Sequence, residues 1–228
     1  GVKGEKTAVC LYEKGSDVKV YPNMKHSSET SERLELQINA WLSEISPNIK
    51  VNVIPYLDVN LMGARYSTSN SLGEESTNAL NMGFGVSYSL PIIVALLSAR
   101  EGDILVLENP EAHLHPELQQ KMARLIINMM NLGIPVWITT HSDTILQHIN
   151  NMMKLKNHVR SNELQQEYGY KKEDLLSRED IQMYQFVTEN SGKTRLVPLE
   201  ATKYGFVVPT FNNALEKIVE EVYAFQED

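Results

Sequence analysis

The sequence predicts an α/β fold with a parallel sheet, and three observations in its middle carry that prediction. "DILVLE" is a continuous apolar run bounded by Gly102 and Pro110, as expected of a strand buried on both faces. "HPELQQKMARLIINMMNLG" follows as a helix, with Pro116 in its first turn and Gly133 at its end. "IPVWITTH" is a second apolar run, leading into the helical "SDTILQHINNMM", which Ser142 is placed to cap. Strand, helix, strand, helix in so short a span is a βαβα unit with a right-handed crossover. Its ligand site belongs at the carboxyl ends of the strands, where Glu108 and His141 both fall.

Upstream, "TAVCLY" reads as a short strand and "MKHSSETSER" as a loop. Ser31 is a candidate N-cap for a helix over "ERLELQINAWLSEI", in which Leu34, Ile38, Trp41, Leu42 and Ile45 share one face. "IKVNVIPYLDV" alternates as a half-buried strand does. "GARYSTSNSLGEESTN" reads as a long polar connection. "NMGFGVSYSLPIIVALLSA" is a glycine-containing turn that opens an apolar helix and presents backbone N–H groups to an anion.

Downstream of residue 153 the chain turns charged, and this part reads as a small α+β appendage. "IQMYQFVTENSGKTRLVPLE" is a hairpin turning at "ENSGK". "NNALEKIVEEVYAF" is an amphipathic helix with Leu215, Ile218, Val219 and Val222 on one face.

Composition narrows the classes. With 228 residues, 42% hydrophobic and 22% charged, the chain can bury a core without disulfides or structural metals. A net charge of −8 argues against nonspecific nucleic-acid binding by the whole domain. The single cysteine, Cys10, excludes a disulfide framework and fits a reducing, cytoplasmic setting. The sequence has no apolar run long enough to span a membrane.

"ENPEAHLHP" concentrates the chemistry. A carboxylate ending a buried strand, here Glu108, can hold Mg2+ beside a phosphate chain, or can simply be a solvated strand-end acid. His141 in "TTHS" can reach the same crevice and touch a terminal phosphate, or can merely begin a helix. The pair His113 and His115, with Glu111 and His141, invites a metal reading; a loop histidine pair before Pro116 is the plainer one. No GxxxxGK[ST] or GxGxxG occurs in the chain.

Taken together, these stretches resemble the second half of an ABC-type ATPase head, as in SMC-like and overcoming-lysogenization-defect (OLD) family ATPases, a P-loop NTPase-like fold. In that family a strand ends in Asp-Glu-Pro-Glu-x-His-Leu-His-Pro, and Pro110, Glu111, His113, Leu114, His115 and Pro116 match. "NMGFGVSYSLPIIVALLSA" is similar to the signature turn and helix, and "WITTHSD" to the switch-histidine strand. The resemblance covers residues 80 to 152. The flanks, with "KYGFVVPTF", are similar to a predicted AAA ATPase subfamily with a C-terminal extension and no nuclease domain.

The resemblance implies ATP and Mg2+ as cofactors. Glu108 would occupy the Walker B carboxylate position, His141 would sense the γ-phosphate, and Gly85 and Ser87 would contact nucleotide across a homodimer. Glu111, His113 and His115 would lie in the dimer-facing loop. Domains are expected at 1–153, the ATPase lobe, and 154–228, the extension. Asn109 stands where the family has its catalytic glutamate, so either Glu111 serves as the base or hydrolysis is slow. The signature turn lacks a full Ser-Gly-Gly run. The Walker A half is not among these residues, so the chain is expected to be a C-terminal fragment that binds ATP poorly alone. Relatives suggest DNA transactions or phage defence. The rival readings are a metal-dependent hydrolase or nuclease built on the Glu/His cluster, and an ATP-sensing interaction module with little turnover.

Overall fold

The parallel unit at the centre is present, and its strands lie side by side in register. The computed structural model describes residues 4–56, 58, 61–70, 73–78, 83–189, 191–202, 205–208, 217, 219–221 and 223. These divide into two compact units, Gly1–Ser142 and Asp143–Asp228.

In the first unit, β4 (Leu105–Glu108) pairs in parallel with β5 (Val136–Thr139), aligning Val106 with Trp137 and Glu108 with Thr139. Helix α4 (Pro116–Met130) crosses between them. Its start follows from Pro116, which forces His115 into extended backbone and itself needs no N–H partner in the first turn. Met122, Leu125, Ile126 and Met129 are all buried, as their three- and four-residue spacing requires.

The expectation that both strands are covered on both faces is corrected. Leu107 is buried, but Ile104, Val106 and Trp137 are 65%, 69% and 70% exposed on the opposite face. Among the described residues the sheet has only these two strands, so one face packs on the core and the other is wet.

Three further readings change. "TAVCLY" lies within helix α1 (Thr7–Lys14), not a strand: Gly15 N donates to Leu11 O, and Leu11 enters the core. A six-residue apolar mix cannot separate helix from strand by period alone. Helix α2 (Leu34–Ile45) begins after Arg33, so Ser31 is not its cap. Ser31 makes a tighter turn, its Oγ accepting from the Arg33 N–H, while its carbonyl accepts from the buried Gln37 amide. The apolar face of α2 is as the spacing predicts, with Leu34, Ile38 and Leu42 fully buried. Finally, the polar "GARYSTSNSLGEESTN" is not a connection. It forms β2 (Leu61–Asn70) and β3 (Gly73–Asn78), which continue antiparallel from β1 (Ile49–Tyr56) as a meander. Backbone pairing holds these polar strands where no apolar alternation marks them.

Helix α3 (Phe84–Ser98) runs through the core, burying Val86, Leu90, Ile93, Val94, Leu96 and Leu97. The core gathers α2, α3, α4 and the inner faces of β1 and β4. At its rim His26 donates through Nε2 to Glu44 while Lys121 of α4 bonds the other carboxylate oxygen. The Lys121 hydrogen bond, reinforced by His26, holds the Glu44 carboxyl below its ordinary value against the opposing effect of burial.

In the second unit, α5 (Asp143–Lys156) and α6 (Ser161–Tyr168) precede a hairpin of β6 (Met183–Thr188) and β7 (Thr194–Leu199). The turn closes where the sequence places it, Glu189 N donating to Lys193 O. The charged stretch before it still contributes core, since Leu175 and Leu176 are buried. A short pair, β8 (Ala201–Thr202) and β9 (Gly205–Phe206), is clamped by Asn150, whose side chain accepts from Phe206 N and donates to Phe206 O. Gly205 has φ +95°, and a Cβ there would fall 2.3 Å from Asn150 Oδ1, so only glycine fits. Of the expected C-terminal helix, Lys217, Val219, Glu220, Glu221 and Tyr223 are helical; Leu215, Ile218 and Val222 lie outside the described residues, as does most of "KYGFVVPTF".

Candidate functional site

The ladder between β4 and β5 runs one bond past Glu108, with Asn109 N donating to Thr139 O at 2.8 Å. Glu108 therefore ends a rigid strand, exposed, on the same sheet face as Thr139. The chain then turns twice. Ala112 N donates to Asn109 O, and Leu114 N donates to Glu111 O. The turns need left-handed backbone at Asn109 (φ 45°) and His113 (φ 62°). Asparagine tolerates that region better than glutamate, so the backbone supplies its own reason for Asn109.

Glu111 leaves the turn half-buried and splits its two oxygens between different fates. Oε1 accepts the backbone N–H of His141 at 2.9 Å, while Oε2 is buried with no hydrogen-bond partner among the described residues. His141 itself is exposed. Its neighbour Ser142 is buried, takes a bond from its own N–H to Thr140 Oγ1, and donates through Oγ to Gln119 Oε1 at 2.6 Å. Gln119 Nε2 in turn donates to Leu114 O at 2.8 Å. The loop after β5 is thus held to the loop after β4 on both sides of His141.

His113 packs against aromatic side chains. Its ring lies 5.3 Å from Phe84, stacked, and 4.7 Å from Tyr88, tilted. Both aromatics belong to the first turns of α3 and are exposed, at 70% and 53%. Backbone packing brings these segments together: a Cβ on Gly85 would meet His113 O at 3.1 Å, so the second residue of α3 is pressed against the turn. Ser87 lies two residues further on, half-buried, and His115 is exposed at the start of α4.

The sequence-derived residues therefore sort into two places. Glu108, Asn109, Glu111 and His141 come together at the carboxyl ends of the parallel strands. Gly85, Ser87 and His113 form a neighbouring surface on α3. Among the described residues no three of His, Cys, Asp and Glu are grouped as a metal ion would require, so the four-residue metal cluster expected by the hydrolase reading does not form. Glu108 is an exposed, hard oxygen donor, which suits Mg2+ held directly or through water and not a soft-ligand metal. A cavity of about 320 Å3 in the second unit, among Arg178, Met183, Tyr184, Pro198 and Phe206, includes none of these residues.

Sequence reasoning missed Gln119, and it gave Ser142 only the role of capping the next helix. The signal for Gln119 was available: it falls on the apolar stripe of α4, three residues before Met122 and seven before Ile126. A polar residue on a core-facing stripe needs a buried partner.

Among the described residues no helix is long and apolar enough to cross a membrane. No curated protein matches the chain. A solved structure from work on "ATP-driven dimerization and DNA stimulated activation of SMC ATPases" is similar at a TM-score of 0.44 and 11% identity, over 82% of this chain and 88% of that one. The AAA ATPase domain family matches residues 5–146, which is 142 of 228, and the chain belongs to that family.

Proposed function

We propose that this chain supplies the Walker B and switch-histidine half of an ATP-hydrolysing, ABC-type site. The observation that carries the reading is the convergence of Glu108, Glu111 and His141 at the carboxyl ends of two parallel strands, with Glu111 bonded to the backbone of His141. The wet apolar face of Ile104, Val106 and Trp137 supports a site completed by a phosphate-binding lobe that these residues do not include.

In this reading Mg2+ supplies charge neutralisation on the β- and γ-phosphates when bound, and Glu108 holds it, directly or through water. Glu111 orients the attacking water through Oε2 while Oε1 stays on His141. His141, held by its backbone, presents its imidazole to the terminal phosphate. Asn109 has no proton-accepting part. Gly85 and Ser87, with the Phe84–Tyr88–His113 surface, face a second copy across an ATP-gated homodimer. A role in DNA transactions or phage defence belongs to the same proposal, and the net charge of −8 lends it no support. The 1–153 and 154–228 domains and the C-terminal extension are likewise part of this proposal.

The test joins the chain to a phosphate-binding lobe and measures ATP binding and turnover with Glu108→Gln and Glu111→Gln. Unaltered binding and turnover in both variants would sink the assignment. The ATP-sensing module is a second reading, favoured by the same Glu111 geometry. One oxygen is committed to the backbone and the other is buried, so the carboxylate can serve as a latch instead of a base. Tight ATP-dependent dimerisation with negligible turnover in the unsubstituted protein would select it.

A further inference from the structure

We infer that Gln119 is a positioning residue for His141, acting through Ser142. The inference rests on the ATPase reading above and names a residue that the motif comparison leaves out.

Gln119 has two partners, and their chemistry fixes which way its amide faces. Leu114 O can only accept, so the NH2 end of Gln119 must point at it. The carbonyl end then faces Ser142, whose hydroxyl must be the donor. One side chain thus reads the loop after β4 with one end and the loop after β5 with the other. Leu114 and Ser142 are both buried, so water is a poor substitute for either bond. The mount is rigid, because Gln119 stands on the same stripe of α4 as Met122, Ile126 and Met129, which sit in the core.

His141 lies between two anchors that reach it from opposite sides in sequence. Glu111 holds its N–H, and Gln119 holds the hydroxyl of the next residue. The exposed imidazole has few rotatable bonds left between it and this fixed backbone. Removing the Ser142 anchor lets the segment swing about the Glu111 bond. A displacement of that kind misplaces a phosphate-contacting group without touching the nucleotide.

The experiment is a double-mutant cycle of Gln119→Leu and Ser142→Ala with two readouts. Leucine keeps the volume and the helix preference of glutamine while losing both hydrogen bonds. In the 228-residue chain, hydrogen exchange at the His141 amide is expected to quicken about 10-fold in each single variant and by clearly less than the product in the double, because the Gln119–Ser142 bond is lost in both. Ser142→Thr, which keeps the hydroxyl, restores the slow rate. In the protein completed by its phosphate-binding lobe, Gln119→Leu is expected to lower kcat about 10-fold with KM for ATP nearly unchanged. Additive exchange effects would overturn the link between Gln119 and Ser142. Normal kcat with quickened exchange would overturn the positioning role alone. Absent turnover in the unsubstituted protein would instead overturn the ATPase reading itself.

Discussion

The backbone N–H of His141 donates to Oε1 of Glu111 at 2.9 Å, so a side chain from one loop holds the main chain of another 30 residues away. The two residues that the motif reading assigns to separate tasks are one mechanical unit. Glutamine at 111 can keep the bond to His141, since its carbonyl oxygen still accepts, but it cannot take a proton. Leucine loses both functions. Glu111→Gln is therefore expected to lower ATP turnover by about 10²-fold or more while leaving the melting temperature close to normal. Glu111→Leu should also lose about 0.5–1.5 kcal/mol of stability with the hydrogen bond to the exposed His141 N–H. Steady-state kinetics and thermal melting of the two variants separate the roles.

Asn109 follows a different logic, because its backbone matters more than its amide. With φ at 45°, Asn109→Gly should be neutral or mildly stabilising, whereas Asn109→Val should cost about 1–2 kcal/mol. Placing a glutamate at this position with Asn109→Glu is expected not to raise turnover. A several-fold gain in kcat for that variant would show that position 109 is the true base position and Glu111 is not.

Gly85 leaves little room for a methyl group. Its added Cβ would press on the His113 carbonyl at 3.1 Å, and that oxygen belongs to a residue already in left-handed backbone. Gly85→Ala is expected to destabilise the chain by about 1–3 kcal/mol. The Phe84–His113 stack should loosen with it, which the NMR shifts of the His113 ring would register.

Glu44 gives the chain an acid limb. Its folded pKa is depressed, chiefly by the Lys121 hydrogen bond, so it binds protons less readily when folded than when unfolded. Its contribution is complete above the ordinary value of 4.5 and is lost as pH falls through the lower folded value. Glu44→Gln should therefore flatten the stability profile below about pH 4.5 and lower the plateau above it. Chemical denaturation midpoints across that range check both statements, and an unchanged acid slope would refute them.

How much of this was legible in the sequence depended on whether a residue's partner was near it. The β4–α4–β5 unit announces itself, because its apolar runs, Pro116 and Gly133 act within a few residues of where they stand. The β6–β7 hairpin is legible for the same reason. Strands β2 and β3 are not, since their pairing satisfies backbone groups and leaves little mark on side-chain type. Helix α1 was mistaken because eight residues give barely two turns in which to show a period. At the site, Glu108, Glu111 and His141 could be named from local pattern, but the bond between Glu111 and His141 could not. Gln119 stands out by its place on the apolar stripe, but its partners could not be named, since they lie 5 and 23 residues away and one is a bare carbonyl.

The outer face of the β4–β5 pair has a consequence for how the molecule is handled. A two-stranded parallel sheet with Ile104, Val106 and Trp137 in water is an aggregation hazard when uncovered. Whatever protein surface covers it adds its binding free energy to the folding free energy of the strands beneath, by mass action. Where that cover is a second molecule, the stability of this chain is a property of concentration as well as of sequence. A dilution series, with melting followed at each step, would read the strength of that cover before its identity is known.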